Sequence, residues 1–427
     1  MIKLFQHQQK ALDDTEGFDN VAYYLDMGLG KTFVGAEKMI RIGNGVNLVV
    51  CQKSKIDDWI KHFYKYYWSF GFYDLTDKKQ MESFIRYGSF RHEFSPNIIG
   101  VINYELAWRR KQLLQLKDFT LMLDESSLIQ NQKAKQTKFI LKMKPKNVIL
   151  LSGTPTAGKY ENLWSQISLL GWDIKEHTYN NQYVNWTTIE AGGIKHKVVD
   201  KADPYKNVER LKRKLREHGA VFMKTEEAFT LPEQIEVPVI VPSSKEYRRF
   251  CKDKVLVIDD AELIGDTQLT ERLYKRQLCG MYSKEKLDAF KDLVESTKDR
   301  LIVFYNFNGE LERLQEILKF LNRPVSVVNG SEKDLSAYEQ EDDSITLIQY
   351  QAGAMGLNLQ KANKIIYFTI PDKSELFEQS KKRIHRIGQE KTCFYYFLLV
   401  RNSVETNEVL PTLKVRKEWS DELFKED

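Results

Sequence analysis

The chain has 427 residues, with 65 basic and 60 acidic side chains, and its formal net charge is +5. This length exceeds what a single hydrophobic core usually organises, so two domains are expected. A hydrophobic content of 42% excludes a disordered chain, and no apolar run reaches the roughly 18 residues of a membrane span.

The first part of the chain alternates short apolar runs with amphipathic helical stretches, a pattern typical of βαβ units and a parallel sheet. Buried strands are predicted at NVAYYLDMG, VNLVVCQ, NIIGVINY, FTLMLDES and NVILLSGTP. Each of these runs ends in polar or small residues. Open α/β sheets bind ligands beyond the carboxyl ends of their strands, so the candidate site is expected at that edge.

After Trp172 the alternation gives way to a helical, basic region, and LPEQIEVPVIVPSS then predicts an extended crossover. The alternation resumes at RLIVFYNF, PVSVVNG, SITLIQY, NKIIYF and CFYYFLLV. We therefore predict an α/β protein with two lobes, each a parallel sheet flanked by helices. The first lobe is predicted at 1–230 with a helical insertion at about 172–218, and the second at 231–427 with one at about 243–296.

The stretch YLDMGLGKT follows the first predicted strand and precedes a predicted helix. Gly28 and Gly30 allow backbone N–H groups to curl around phosphate oxygens, Lys31 supplies positive charge, and Thr32 supplies a hydroxyl for Mg²⁺. Leu25 stands where the loose GxxxxGK[ST] pattern has its first glycine. An ordinary glycine-rich turn before a helix is the alternative.

Two further strand ends carry polar side chains. LMLDES places Asp124 and Glu125 together, and in nucleotide hydrolysis one carboxylate holds Mg²⁺ while its neighbour orients the attacking water. A helix N-cap is the alternative for these residues. LLSGTPT offers Ser152, Gly153 and Thr154 at the end of the next strand.

In the order GLGKT, LDES, SGTP, QAGAMGLNL and QSKKRIHRIGQ, these motifs resemble the Swi/Snf family of helicase-like, DNA-translocating ATPases in helicase superfamily two. That family has DEMGLGKT, DE(A/G)H, (S/T)GTP, RAGGxGxNL and QxxxRxxRxGQ. HGAVFMKTEEAFTLPEQIEV, SKEKLDAFKDLV and ENLWSQISLL resemble three more of its segments, so the resemblance covers nearly the whole chain. It implies two tandem RecA-like lobes with helical insertions and an ATPase that moves along DNA.

The resemblance also implies residue roles, with ATP as substrate and Mg²⁺ as cofactor. The implied catalytic residues are Lys31, Asp124, Glu125, Arg383 and Arg386, and the implied Mg²⁺ ligands are Thr32 and Asp124. Glu125 would orient water, and the two arginines would act as arginine fingers across the cleft between lobes. The implied nucleotide-binding set is Gln8, which would read adenine, with Met27, Gly28, Leu29, Gly30, Lys31, Thr32, Gly356, Arg383 and Arg386.

Nucleic acid is the partner that the resemblance implies, with duplex DNA favoured over RNA and contacts to the backbone independent of sequence. The candidates by family position are Lys53, Ser54, Asn103, Tyr104, Thr154, Asn306, Asn329, Gly330, Ala352 and Gly353. A polar turn at the end of a strand is structurally ordinary, which is the alternative for each of them. The basic run from Lys206 to Arg216 fits either a DNA contact or a solvated helix face.

The chain departs from the family pattern at several positions. Leu25 and Asp26 stand where the family has two acidic residues, and Ser127 stands where it has histidine. Gln349 to Gln351 replace serine, threonine and a basic residue. Two alternatives to a duplex translocase stay open: a strand-separating DNA or RNA helicase, and an ATP-gated nucleic-acid clamp with little turnover.

The expected location is the cytoplasm of a bacterial or phage-infected cell, without membrane attachment. The four cysteines are dispersed and form no CxxC pair, which indicates a reducing compartment. The first ten residues, MIKLFQHQQK, contain no apolar core of a signal peptide.

Overall fold

The computed structural model describes residues 2–89, 96–191, 193–259, 261–353 and 357–425. The chain divides into two compact units, Met1–Ala228 with Glu418–Asp427, and Phe229–Lys417. The sequence analysis placed 231–427 in the second lobe, whereas the final segment lies with the first unit. Leu423 and Phe424 join the buried core of that unit, and the Tyr160 hydroxyl donates to the Trp419 carbonyl oxygen at 2.8 Å.

The first unit is built on a parallel sheet of seven strands in the order β3-β4-β2-β5-β6-β1-β9. The strands of this unit are β1 (Asn20–Leu25), β2 (Val46–Cys51), β3 (Gly71–Asp74), β4 (Ile98–Asn103), β5 (Phe119–Asp124), β6 (Asn147–Leu151), β7 (Trp186–Ala191), β8 (Ile194–Val199) and β9 (Ala220–Met223). Its helices are α1 (Gln6–Asp13), α2 (Lys31–Ile42), α3 (Ile56–Tyr66), α4 (Lys78–Ser89), α5 (Tyr104–Ala107), α6 (Lys135–Lys142), α7 (Trp164–Leu169), α8 (Glu176–Tyr183), α9 (Val208–Glu217) and α10 (Thr225–Ala228).

The central strands of this sheet are covered on both faces, because helices pack on each side of a parallel sheet. Every residue of β2, β4 and β6 is buried, which explains why these strands read as continuous apolar runs. The five strands predicted for this part of the chain are present. The sequence analysis did not predict the outermost strands β3 and β9, which are only four residues long.

The second unit contains a parallel sheet of six strands in the order β10-β17-β16-β13-β15-β14. Its strands are β10 (Gln234–Val241), β11 (Val255–Ile258), β12 (Ala261–Ile264), β13 (Leu301–Tyr305), β14 (Val325–Val328), β15 (Ile345–Gln349), β16 (Lys364–Tyr367) and β17 (Cys393–Val400). Its helices are α11 (Lys245–Asp253), α12 (Gln268–Gly280), α13 (Lys284–Glu295), α14 (Asn308–Lys319), α15 (Ser336–Gln340), α16 (Tyr350–Gly353), α17 (Ser374–Lys381) and most of α18 (Leu410–Glu422). Within the ranges described, no helix combines the length and apolar character needed to cross a membrane.

The segment predicted as an extended crossover is a strand of the second sheet. β10 pairs in parallel with β17 along its whole length and lies at the end of the sheet. Pro238 lies within β10, which an edge strand tolerates because one row of its backbone N–H groups needs no partner strand.

Both predicted helical insertions contain a β-hairpin as well as helices. In the first, the antiparallel pair β7–β8 lies between α8 and α9, and in the second, β11–β12 lies between α11 and α12. The two hairpins differ in burial. Leu256 and Leu263 are buried between β11–β12 and its helices, whereas Ile189 and Ile194 of β7–β8 are exposed.

Candidate active site

The loop between β1 and α2 has the backbone that a phosphate-binding turn needs. Gly28 and Gly30 have φ angles of 92° and 76°, in the left-handed region that glycine adopts without strain. A β-carbon at Gly30 would lie 2.2 Å from Nε2 of Gln8, so any other residue would displace this amide as well as strain the backbone. The loop therefore ends at the N-terminus of α2, where free backbone N–H groups favour the binding of an anion.

Gln8 is held against this loop. Its Oε1 accepts from the Phe5 backbone N–H at 3.0 Å, and its Nε2 donates to the Leu29 carbonyl oxygen at 3.1 Å. A ring nitrogen of His7 lies 3.0 Å from the same carbonyl oxygen. The predicted adenine-reading residue is thus buried beside the predicted phosphate loop, with its amide orientation fixed.

Lys31 joins the phosphate loop to the end of β6. Its Nζ donates to the carbonyl oxygens of Leu25 and Asp26 at 2.9 and 3.2 Å. A β-carbon at Gly153 would lie 3.3 Å from that Nζ and 3.5 Å from Cγ of Met27. The SGTP turn therefore packs directly against the lysine, and a side chain at position 153 would separate them.

Asp124 ends β5 and accepts a hydrogen bond that the sequence analysis missed. Its Oδ2 accepts from Nε1 of Trp59 in α3 at 2.8 Å. Burial raises the pKa of this carboxyl, while the Trp59 hydrogen bond and the charges of Lys31 and Lys55 lower it. The indole N–H thus favours the ionised carboxylate and fixes its orientation.

Glu125 has an unusual backbone. Its φ is 53°, in the left-handed region that a non-glycine residue adopts only under constraint. The hydroxyl of Tyr104 donates to the carbonyl oxygen of Asp124 at 2.8 Å and lies 3.4 Å from that of Glu125. The buried tyrosine therefore supports the turn that presents the two acidic side chains.

The donor set at this edge suits Mg²⁺. Thr32 is the second residue of α2 and Asp124 ends β5, so a hydroxyl and a carboxylate oxygen are available, both hard oxygen ligands. No cluster of three or more His, Cys, Asp or Glu residues capable of holding a metal occurs in the described part of the chain. Proteins commonly bind Mg²⁺ through one or two carboxylates together with water and nucleotide phosphates.

The second unit carries the two predicted arginines on the turn after α17. Arg383 is buried, and Nη1 of Arg386 donates to Oδ1 of Asn358. Burial lowers the pKa of the Arg386 guanidinium from its ordinary value. Gln389 holds the turn together, because its Nε2 donates to the Ala362 carbonyl oxygen at 2.8 Å and its Oε1 accepts from two backbone N–H groups. Gly356, the remaining predicted nucleotide-binding residue, lies outside the described residues.

Comparison with protein families decides the classification. The SNF2-related domain matches residues 24–289, and the helicase conserved C-terminal domain matches residues 285–388. The chain belongs to the SNF2-related family. The resemblance inferred from the motifs is thereby confirmed.

Individual relatives of this SNF2-related chain are distant. It is 23% identical over 423 residues to a mouse protein named SWI/SNF-related matrix-associated actin-dependent regulator of chromatin subfamily A member 1, covering 89% of this chain and 39% of that protein. It is 26% identical over 326 residues to the putative ATP-dependent helicase/translocase YwqA of Bacillus subtilis, covering 67% and 33% of the two chains. The chain thus spans about a third to two fifths of these curated relatives.

Among solved structures, the Sulfolobus solfataricus SWI2/SNF2 ATPase core in complex with dsDNA is similar to this chain. The sequence identity is 21% and the TM-score is 0.45, with 98% of this chain and 92% of that chain covered.

The predicted nucleic-acid contacts of the first unit fall into two groups. Lys53 and Ser54 are exposed in a short 3₁₀ turn before α3, and Thr154 is half-buried in the SGTP turn. Asn103 and Tyr104 are buried instead: Nδ2 of Asn103 donates to Glu105 at 2.7 Å, and Tyr104 supports the Asp124 turn. Both side chains therefore have contacts within the first unit, and their role in binding nucleic acid stays a prediction.

In the second unit, most of the predicted nucleic-acid contacts also have internal partners. Nδ2 of Asn306 donates to Oγ1 of Thr369 at 2.9 Å. Oδ1 of Asn329 accepts from the backbone N–H groups at positions 331 and 332, which caps its own turn. Ala352 is buried, Gly353 ends α16, and Gly330 faces open space.

The substituted position Tyr350 is a core residue of this SNF2-related chain. It is buried, its hydroxyl donates to the Thr369 carbonyl oxygen at 2.9 Å, and its ring stacks on Phe304 with 5.1 Å between centroids. Nε2 of Gln349 donates to the Asn306 carbonyl oxygen at 3.2 Å. The sequence analysis flagged these positions only as departures from a pattern, whereas their side chains stabilise the ends of β13 and β15.

Three buried residues of these sites escaped the sequence analysis: Trp59, Gln166 and Glu310. Each lies on a helix: Trp59 and Glu310 lie outside the quoted motifs, and Gln166 lies within ENLWSQISLL, to which no residue role was assigned. Oε2 of Glu310 accepts from the backbone N–H groups of Asn306 and Phe307 at 2.8 and 3.1 Å and from Oγ1 of Thr369 at 2.9 Å. In the sequence, one signal could have identified Gln166 as a buried hydrogen-bonding residue: it is polar and lies within the apolar helical run LWSQISLL.

Proposed function

We propose that this chain is an ATPase stimulated by nucleic acid and that it translocates along duplex DNA. One observation carries the proposal: Lys31, the Asp124–Glu125 pair and Gly153 meet at the carboxyl edge of a single parallel sheet, beside the N-terminus of α2. Such an edge is where open α/β sheets bind nucleotides. Family membership supports the same chemistry.

Each residue has a defined task in this proposal. Lys31 and the N-terminus of α2 bind the phosphates, and Gln8 binds the base. Glu125 orients the attacking water, and the Trp59 hydrogen bond favours the ionised form of Asp124 against the effect of burial. Mg²⁺, held by Thr32 and Asp124, would neutralise charge on the phosphoryl group. Arg383 and Arg386 would stabilise the transferring phosphoryl group.

DNA is proposed as the polymer from two observations. The relatives include a protein named as a helicase/translocase and one named as a chromatin regulator. Exposed polar groups on strand-end turns, at Lys53, Ser54 and Gly330, suit contacts to a phosphate backbone. The four cysteines are free, which fits the proposed cytoplasmic location.

The test is ATP hydrolysis measured without polymer and with single-stranded DNA, duplex DNA or RNA. Duplex DNA is expected to give the largest stimulation, and Lys31→Ala is expected to abolish turnover under every condition. Stimulation by RNA alone would overturn the DNA assignment, and no turnover with any polymer would favour an ATP-gated clamp.

A triplex-displacement assay then separates movement along duplex DNA from strand separation. Translocation predicts ATP-dependent release of the third strand from an intact duplex. Separation of a forked duplex without triplex release would favour the strand-separating helicase.

A further inference from the structure

Helix α7 carries a fully buried glutamine, Gln166, in the apolar run LWSQISLL. A buried amide is stable only when its polar atoms are hydrogen-bonded. Its Oε1 accepts from Oγ of Ser126 at 2.7 Å and from the Tyr24 hydroxyl at 3.1 Å, and its Nε2 donates to the Pro155 carbonyl oxygen at 2.7 Å.

These three contacts reach three different segments of the candidate active site. Tyr24 lies in β1, just before the phosphate loop. Ser126 is the residue after Glu125, and Pro155 closes the SGTP turn. One side chain therefore joins the three segments that the proposed chemistry requires.

The orientation of this amide is determined by its partners. The Pro155 carbonyl oxygen can only accept, so the NH₂ group of Gln166 must face it and Oε1 must face the two hydroxyls. Burial raises the pKa of the Tyr24 hydroxyl well above its ordinary value, so this group keeps its proton and donates. The contact set thus has one arrangement, in which Gln166 bridges the Pro155 carbonyl oxygen and the Ser126 hydroxyl.

We propose that Gln166 is a positioning residue that couples the SGTP turn to Glu125, so that stimulation of ATP hydrolysis by nucleic acid depends on its side-chain amide. The inference rests on the proposed function. Thr154, a predicted nucleic-acid contact, precedes Pro155 in the turn. A shift of that turn pulls on Nε2, and the planar amide passes the shift through Oε1 to Ser126 and the constrained backbone of Glu125.

The chain offers a matched control in Gln130. Its Nε2 donates to the same Pro155 carbonyl oxygen at 3.2 Å, while its Oε1 accepts from Nδ2 of Asn162 at 3.0 Å. Replacing Gln130 removes an amide hydrogen bond from the same carbonyl oxygen without removing the bond to Ser126. Both glutamines therefore support the SGTP turn through the Pro155 carbonyl oxygen. Of these two, Gln166 also hydrogen-bonds Ser126, so an effect specific to Gln166 reports the coupling to Glu125.

The experiment measures the ratio of DNA-stimulated to unstimulated ATP turnover, together with KM for ATP, in the full chain. Gln166→Leu is expected to lower the ratio by about tenfold, the rate equivalent of one hydrogen bond, with KM for ATP changed less than twofold. Ser126→Ala is expected to lower the ratio similarly. The double variant should fall no further, because both changes break the same link. Gln130→Met should keep the wild-type ratio.

Each outcome decides the question. A wild-type ratio in Gln166→Leu, or an equal loss in Gln130→Met, would overturn the coupling while leaving the proposed function in place. If Gln166→Leu fails to fold, judged by its thermal unfolding, Ser126→Ala alone decides, because it deletes one oxygen and little volume. Absence of stimulation in the wild-type protein would instead overturn the proposed function and this inference together.

Discussion

Asp124 in the first unit, which is half-buried, and Glu310 in the second, which is fully buried, both lie next to the carboxyl end of a parallel strand. Burial is the main cause that raises the pKa of each. They differ in their partners. Asp124 accepts a side-chain hydrogen bond on Oδ2. Three donors converge on Oε2 of Glu310, two of them backbone N–H groups of the turn after β13 and the third the Thr369 hydroxyl after β16.

This difference distinguishes the proposed Mg²⁺ ligand Asp124 from a carboxyl whose hydrogen bonds are structural. Oε2 of Glu310 is fully used in holding the turn that contains Asn306, and a β-carbon at Gly280 would lie 2.0 Å from its other oxygen. The Trp59 hydrogen bond to Asp124 uses only Oδ2, and the nearby positive charge of Lys31 lowers the pKa of this carboxyl. A buried acid at a strand end is thus weak evidence of catalysis until its hydrogen-bond donors are known.

The largest effect on turnover is expected for Arg386→Ala, which tests whether the second unit contributes chemistry through its arginines. Loss of an arginine finger costs roughly 10³–10⁵ in kcat, and we expect a fall in this range with little change in ATP affinity. Steady-state kinetics and nucleotide binding measure the two quantities. Asn358→Ala, which removes only the hydrogen-bond partner of Arg386, should cost far less. A change confined to affinity would make Arg386 a binding residue.

Glu125→Gln tests the reacting carboxylate of the first unit. The amide cannot orient and deprotonate water, so kcat is expected to fall by roughly 10²–10⁴. ATP binding should persist, as measured with a fluorescent ATP analogue, because the phosphate-binding residues are intact. Turnover at the wild-type rate would show that another group activates the water.

Trp59→Phe tests the side-chain hydrogen bond that Asp124 accepts from the indole N–H. Without the indole N–H the pKa of Asp124 rises further, so the acid limb of the kcat profile is expected to move to higher pH. Loss of such a supporting contact should also lower the affinity for Mg²⁺ by roughly 10–100-fold, so that more Mg²⁺ is needed for half-maximal turnover. Phe63→Leu is the control, because Phe63 stacks on Trp59 at 5.5 Å without contributing a hydrogen bond to Asp124. An equal shift in both variants would point to packing alone.

Glu310→Gln is expected to have the smallest effect on turnover and a clear effect on stability. Burial raises the pKa of folded Glu310 to about 7 from an ordinary value near 4.5. Its protonated form therefore stabilises the fold below pH 4.5, and this contribution is lost as the pH rises through 7. The difference is on the order of 3 kcal/mol in the free energy of unfolding.

Urea unfolding at pH 5 and pH 8 measures this dependence. The Glu310→Gln variant should lose most of the difference that the wild-type protein shows. The exposed neighbour Glu312 provides the control, and Glu312→Gln should retain the wild-type difference. An unchanged pH dependence in Glu310→Gln would mean that Glu310 is ionised in the folded protein.

Local sequence patterns were sufficient for the strands and for the phosphate loop. The ten apolar runs predicted as strands are strands, and Gly30 and Lys31 lie where a strand–loop–helix pattern puts them. These signals act over a few residues, through backbone freedom and burial. The roles of the individual site residues stay predictions, although the structure brings Gln8, Lys31 and Gly153 to one loop.

The remaining features depend on contacts between distant segments. Trp59 and Asp124 are 65 positions apart, and Tyr24 and Gln166 are 142 positions apart. A local sequence pattern therefore cannot predict either hydrogen bond. Tyr104 follows a strand end, like an exposed contact residue, yet it is buried under the next strand end. β10 contains a proline and alternates polar with apolar residues, a pattern that also fits a linker. Its assignment as a strand depends on β17, which lies beside it in the folded chain.

The edge strand β10 has a consequence for self-association. It spans eight residues, one side faces no other strand of the sheet, and Ile240 is exposed. Such an edge can recruit a strand from another molecule and begin aggregation. Pro238 counters this at the middle of the strand, since it offers no N–H to an incoming chain and its ring disturbs regular pairing. Pro238, which makes β10 hard to predict as a strand from the sequence, therefore also disfavours pairing of another chain with the exposed edge of the sheet.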